Sequence, residues 1–74
     1  MISEKFIAMF QIMLNRKCRI ELLTIDTDGI TFKIGIQNID GFVIKTVTYE
    51  RMFNSDTKDL AIKIIYDACK EILK

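Results

Sequence analysis

The chain has 74 residues, half of them apolar, with 11 basic against 10 acidic side chains and a formal charge of +1 at neutral pH. So short a chain has room for one core and no second, so residues 1–74 are read as a single domain that folds without disulfides or a metal. The near-neutral balance argues against a strongly cationic nucleic-acid binder and against a wholesale acidic mimic of DNA.

In chain order, Ile2, Phe6, Ile7, Met9, Phe10, Met13 and Leu14 fall on one side of a helix, with Glu4, Ala8, Gln11 and Asn15 on the other. Ser3 suits the N-cap, Ile2 before it is placed to pack on Ile7, and Ile12 points toward the polar side. Glu4 and Lys5 come early and no small-residue cleavage pattern follows, so this segment is expected to be a helix of the fold and not a targeting signal. No apolar run approaches the roughly 20 residues of a membrane span.

From Cys18 to Glu50 the apolar period changes to two. Three strands are expected, Lys17 to Ile25, Ile30 to Gln37 and Phe42 to Glu50, joined by two-residue turns at Asp28-Gly29 and Asp40-Gly41. A last helix is expected to begin near Asn54 or Ser55, with Asp56 and Asp59 favouring the positive end of its dipole. Its apolar face is read as Ala61, Ile62, Ile65, Ala68, Cys69, Ile72 and Leu73. The order is thus α-β-β-β-α: an α+β fold in which two helices pack on one face of a three-stranded antiparallel meander.

Little in this sequence points to catalysis. There is no histidine, hence neither the commonest general base nor the commonest nitrogen ligand for zinc. Ser3 and Ser55 stand at helix starts, where capping explains them, and Asp26, Asp28 and Asp40 are explained by turns at opposite ends of the middle strand. Cys18 and Cys69 are far apart in sequence with no CxxC, which fits free thiols in a reducing compartment, Cys69 buried within its helix stripe. No enzyme activity, cofactor or metal is expected, and the location is expected to be cytoplasmic.

Two-residue turns would pair Ile25 with Phe32, Leu23 with Ile34, Ile34 with Val47 and Phe32 with Tyr49 on the helix-covered face. The opposite face would then carry Cys18, Ile20 and Leu22 from the first strand. Lys33, Gly35, Gln37, Ile39, Phe42, Ile44, Thr46 and Thr48 would join them. The apolar members of this set, gathered near the second hairpin, invite an interface; a bulge near Leu22-Leu23 would instead turn some of them inward. The surface expected to bind a partner is Ile20, Asn38, Asp40, Gly41, Phe42 and Ile44. A second copy could meet this chain around Ile20, Phe42 and Ile44, or along the edge of the third strand, so a homodimer is also expected. Arg16, Lys17, Arg19 and Lys58 form the alternative, a basic set that could contact nucleic-acid phosphates.

Two families share this layout. The α-β-β-β-α order resembles the double-stranded RNA-binding domain. That family's lysine-rich start of the last helix is replaced here by Ser55-Asp56-Thr57-Lys58-Asp59, with only Lys58 matching. The stretch Thr27-Asp28-Gly29-Ile30-Thr31 through Ile34, Ile36, Asn38, Asp40-Gly41 and Ile44 resembles the central hairpin of a small phage-encoded type II-A anti-CRISPR family that inhibits Cas9. That resemblance implies a protein partner, a CRISPR nuclease, contacted through Asn38, Asp40 and Gly41. It also implies residence in the host-cell cytoplasm if the gene is carried by a phage. The family is strongly acidic and has a further helix, whereas this chain is near neutral. The expected function is that of a small non-enzymatic protein-binding module, a phage or mobile-element inhibitor of a host defence nuclease, with a double-stranded-RNA-binding-like role as the alternative.

Overall fold

A computed structural model of the chain describes residues 4–74. Ile2 and Ser3, the expected staple and cap, lie outside the described residues. The elements are α1 (Glu4–Asn15), β1 (Cys18–Ile25), β2 (Gly29–Ile36), β3 (Val43–Thr48), α2 (Tyr49–Phe53) and α3 (Thr57–Ile72). The fold is α+β, with a three-stranded open antiparallel sheet in the order β1-β2-β3 and helices α1 and α3 packed together over one face.

One element was not foreseen. The third strand stops at Thr48, whose Oγ1 accepts from the Arg51 amide at 3.1 Å and so caps the short helix α2. This turn swings Met52 fully into the core and stacks Tyr49 edge-on against Phe6, with ring centroids 5.6 Å apart. Asp56 then caps α3, its Oδ2 accepting from the Asp59 amide at 3.1 Å, one residue beyond the expected start.

Both long helices are rotated from their expected faces. In α1 the fully buried residues are Phe6, Met9 and Met13, flanked by the half-buried Phe10 and Ile12, while Ile7 and Leu14 are exposed. The helix is wedged against both α3 and the sheet, so its buried arc is centred between those contacts and takes in Ile12. In α3 the buried residues are Leu60, Ala61, Ile64 and Ala68, and Ile62 and Leu73 face outward. Cys69 is half-buried and Cys18 buried, both as free thiols.

Sheet register explains which strand residues meet this core. The first turn is Thr27-Asp28, closed by the Asp26 amide donating to the Gly29 carbonyl at 2.8 Å, not the expected Asp28-Gly29. Gly29 belongs to β2 because β3 passes against it: a Cβ there would stand 2.3 Å from the Val47 carbonyl oxygen. A bulge between Leu22 and Thr24 then absorbs one residue, so Cys18 pairs with Ile36, Ile20 with Ile34 and Leu22 with Phe32. Cys18, Ile20 and Leu22 therefore face the helices, a correction to the outer-face placement. Ile25 and Leu23, expected in the core, are exposed.

The second connection is longer than a two-residue hairpin. Residues 37–42 form a loop with Asn38 at φ 68° and Gly41 at φ 107°, and β3 pairs Val43 with Ile34 and Val47 with Ile30. Ile34 therefore sits beside Val43, not Val47. The core floor becomes Ile30, Phe32, Ile34 and Val47, all fully buried. Burying side chains of this size stabilises by about 1.5–3 kcal/mol each, which fixes the register firmly.

Candidate functional site

The sheet face away from the helices is built from alternate residues of the three strands. Across its middle row Glu21 lies beside Lys33, and Lys33 beside Ile44. The Lys33 ammonium is 3.9 Å from the Glu21 carboxylate and 4.5 Å from the centre of the Phe42 ring. Toward the first turn, the Thr31 and Thr46 hydroxyls share a hydrogen bond of 2.9 Å. Most of the face is thus a wetted, hydrogen-bonded surface.

Its apolar part is concentrated at one corner. Phe42 is 53% and Ile44 56% exposed, although both are large side chains next to a packed core. Phe42 ends the 37–42 loop and Ile44 follows on β3, so the loop and strand together set their positions. Ile39, at the loop crest, is exposed as well. A shallow depression of about 270 Å³ opens beside them, bordered by Arg19, Ile20, Glu21, Lys33, Gly35 and Phe42.

Arg19 organises this corner. Its side chain crosses Gly35, where a Cβ would come within 2.6 Å of the guanidinium. From there Nη2 donates to the carbonyls of Ile39 and Gly41, both at 3.0 Å, and Nε donates to the Ile36 carbonyl at 3.4 Å. Three carbonyls of the loop and its approach are held by one side chain. Glycine opposite arginine in the cross-strand pair was the sequence signal for this brace, and it became legible only once the true register was known.

Of the expected interface set, the structure brings together Phe42, Ile44, Gly41 and the exposed Asn38 and Asp40 at the loop corner. Ile20 borders the same depression, but it pairs with Ile34 and packs half-buried against the core instead of lying on the outer face. Lys33, not singled out from the sequence, joins the corner through the Phe42 ring.

The basic set is dispersed. Arg16 and Lys58 border one depression of about 340 Å³ together with Ile12 and Asn15. Lys17 occupies the α1–β1 junction at φ 65°, and Arg19 lies on the outer face occupied with loop carbonyls. The turn carboxylates Asp26, Asp28 and Asp40 are exposed, and among the described residues no three His, Cys, Asp or Glu side chains form a group that could hold a metal ion. No helix of the described residues is long and apolar enough to cross a membrane. Burial, with a smaller contribution from the neighbouring Cys69, pushes the Cys18 thiol above its ordinary pKa, away from the thiolate that reactive cysteines use. No protein-family model, curated protein or solved structure matches this chain.

Proposed function

We propose that this chain is a non-enzymatic protein-binding module whose contact surface is the 37–42 loop with the adjoining outer face of β3. The observation that carries this reading is the pairing of Phe42 and Ile44, each more than half exposed, beside a loop held by Arg19. Interfaces centre on a few apolar or aromatic anchors inside a polar rim, and Asn38, Asp40 and Lys33 provide such a rim here. The resemblance of Asn38, Asp40 and Gly41 to an anti-CRISPR hairpin makes a CRISPR nuclease the first partner to try, with the chain acting as its inhibitor in the host cytoplasm.

The test is Phe42→Ala. Because Phe42 lies outside the core, the variant should keep the wild-type unfolding midpoint while partner affinity falls by about 1–3 kcal/mol. Affinity is measured by titration against a Cas9-type nuclease and against proteins captured from the native host. Unfolding of the variant, or unchanged binding, would remove the surface from consideration.

A nucleic-acid role through Arg16 and Lys58 is the second reading, supported by their shared depression. It predicts affinity for duplex RNA or DNA that falls steeply with salt, about 0.7–0.9 in log-log slope per phosphate neutralised. Dispersal of Lys17 and Arg19 away from that pair favours the protein-binding reading. Self-association along β3 is also disfavoured, because the strand's central Lys45 is tied to Glu71 of α3 on the helix-covered side.

A further inference from the structure

The opposite edge of the sheet is built for a second copy of this chain: we propose a two-fold dimer formed by antiparallel pairing of β1 with β1. Among the described residues, the sheet order leaves β1 with a strand neighbour on one side only. Its free backbone groups can be identified from the ladder. The Gln37 amide donates to the Lys17 carbonyl at 2.8 Å, which makes Lys17 and Gln37 a hydrogen-bonded pair. Such pairs alternate along an antiparallel ladder, so Arg19 and Glu21 also turn their backbone groups toward β2. Cys18, Ile20 and Leu22 therefore present their amides and carbonyls to the open edge.

Only a few registers join these three residues to their copies, and charge separates them. Pairing Cys18 with Ile20 of the second copy sets Arg19 against Arg19. Pairing Ile20 with Leu22 sets Glu21 against Glu21. Placing Ile20 opposite Ile20 pairs Cys18 with Leu22 twice and sets Arg19 against Glu21 of the other copy, also twice. Those last pairs fall at non-hydrogen-bonded positions, where side chains across the strands are closest. Within each copy Arg19 leans over Gly35 to the loop and Glu21 lies near Lys33, so the two pairs act between copies as facing charges and not as direct hydrogen bonds.

The apolar surface agrees with this register. Leu22, facing the helix side of the sheet, is 41% exposed and Ile20 half-buried, unusual for residues beside the fully buried Phe32 and Ile34. In the dimer Leu22 covers Cys18 and the two Ile20 side chains cover each other. No proline and no lysine guard Cys18–Ile25, its two charges are of opposite sign, and the bulge between Leu22 and Thr24 lies beyond the Cys18–Leu22 stretch that pairs.

Sedimentation and amide hydrogen exchange test the proposal. For the wild-type chain, the mass should double with rising concentration, and the Cys18, Ile20 and Leu22 amides should become protected over the same range. Arg19→Glu and Glu21→Arg should each weaken self-association about tenfold or more, because each puts like charges at both paired positions. Mixed in equal amounts, the two variants should dimerise again, since every facing pair is then of opposite sign. Far-UV circular dichroism verifies that each variant is folded; Glu21→Arg leaves the Arg19 brace in place. A monomeric mass up to roughly 1 mM, the weak end of specific association, would overturn the proposal. So would protection that does not depend on concentration, or a mixture that stays monomeric. Phe42→Ala should dimerise like the wild type, which separates this surface from the partner-binding corner.

Discussion

Replacing Gly29 with alanine places a methyl carbon 2.3 Å from the Val47 carbonyl oxygen and 2.8 Å from the Thr48 Cα. Both obstacles are backbone, so the clash cannot be relieved by turning a side chain. β3 would have to move about 1 Å away from β2, an overpacking cost of roughly 1–3 kcal/mol. The same movement stretches the 2.9 Å hydrogen bond from the Tyr49 amide to the Asp28 carbonyl, which starts α2. Losing one such bond adds about 1 kcal/mol, and the stiffer unfolded chain returns about 0.4–1 kcal/mol. The net expectation is a loss of about 1–3.6 kcal/mol, from a total of about 4–11 kcal/mol for a domain this size. In a thermal melt, that is a fall in Tm of about 4–29 °C. Urea unfolding followed by circular dichroism gives the free energy directly. A midpoint within about 0.5 kcal/mol of wild type would show that β3 does not press on Gly29, and the register derived from that approach would fall with it.

Gly35→Ala should act locally instead, because the nearest obstacle is the movable Arg19 guanidinium; the midpoint should change by about 1 kcal/mol while amides of the 37–42 loop exchange faster. Asp56→Ala removes the cap of α3 and should cost about 1 kcal/mol, seen as a lower urea midpoint at unchanged m-value. Iodoacetamide should modify the half-buried Cys69 well before the buried Cys18, read by peptide mass. Cys18 has its folded-state pKa raised by burial and, secondarily, by Cys69. The unfolded chain therefore ionises first: this contribution is whole below the ordinary thiol range and is lost as pH climbs through the folded-state value. Urea midpoints should fall on the alkaline side from about pH 9, and Cys18→Val should flatten that fall.

Periodicity carried the element order, because a change from helical spacing to alternation at Cys18 is a backbone-level signal that packing does not override. Turn chemistry carried less. Asp28-Gly29 has the look of a hairpin turn, yet Gly29 is glycine for lack of space against Val47, and no local signal distinguishes the two reasons. The bulge near Leu22-Leu23 reversed the faces of Cys18, Ile20 and Leu22, since a one-residue slip exchanges the two sides of a strand, whereas the displaced turn moved the pairing by two residues and kept them. The loop corner was more legible: Phe42 and Ile44 are apolar where a wetted strand does not require it, a contrast that survived the four-residue shift of β3. Arg19 was read as a surface cation because its acceptors are main-chain carbonyls, which leave no trace in side-chain identity.

The bracing of residues 37–42 by Arg19 bears on how fast a partner can leave. A loop free in solution must surrender conformational entropy each time it is captured, and that loss weakens the complex. Here the carbonyls of Ile36, Ile39 and Gly41 are already fixed before any encounter. The ordering was completed during folding, so contact energy at Phe42 is not spent on shaping the loop. Arg19→Lys keeps the charge but not the fork that spans several carbonyls, and should therefore shorten the lifetime of the complex while leaving the association rate nearly unchanged.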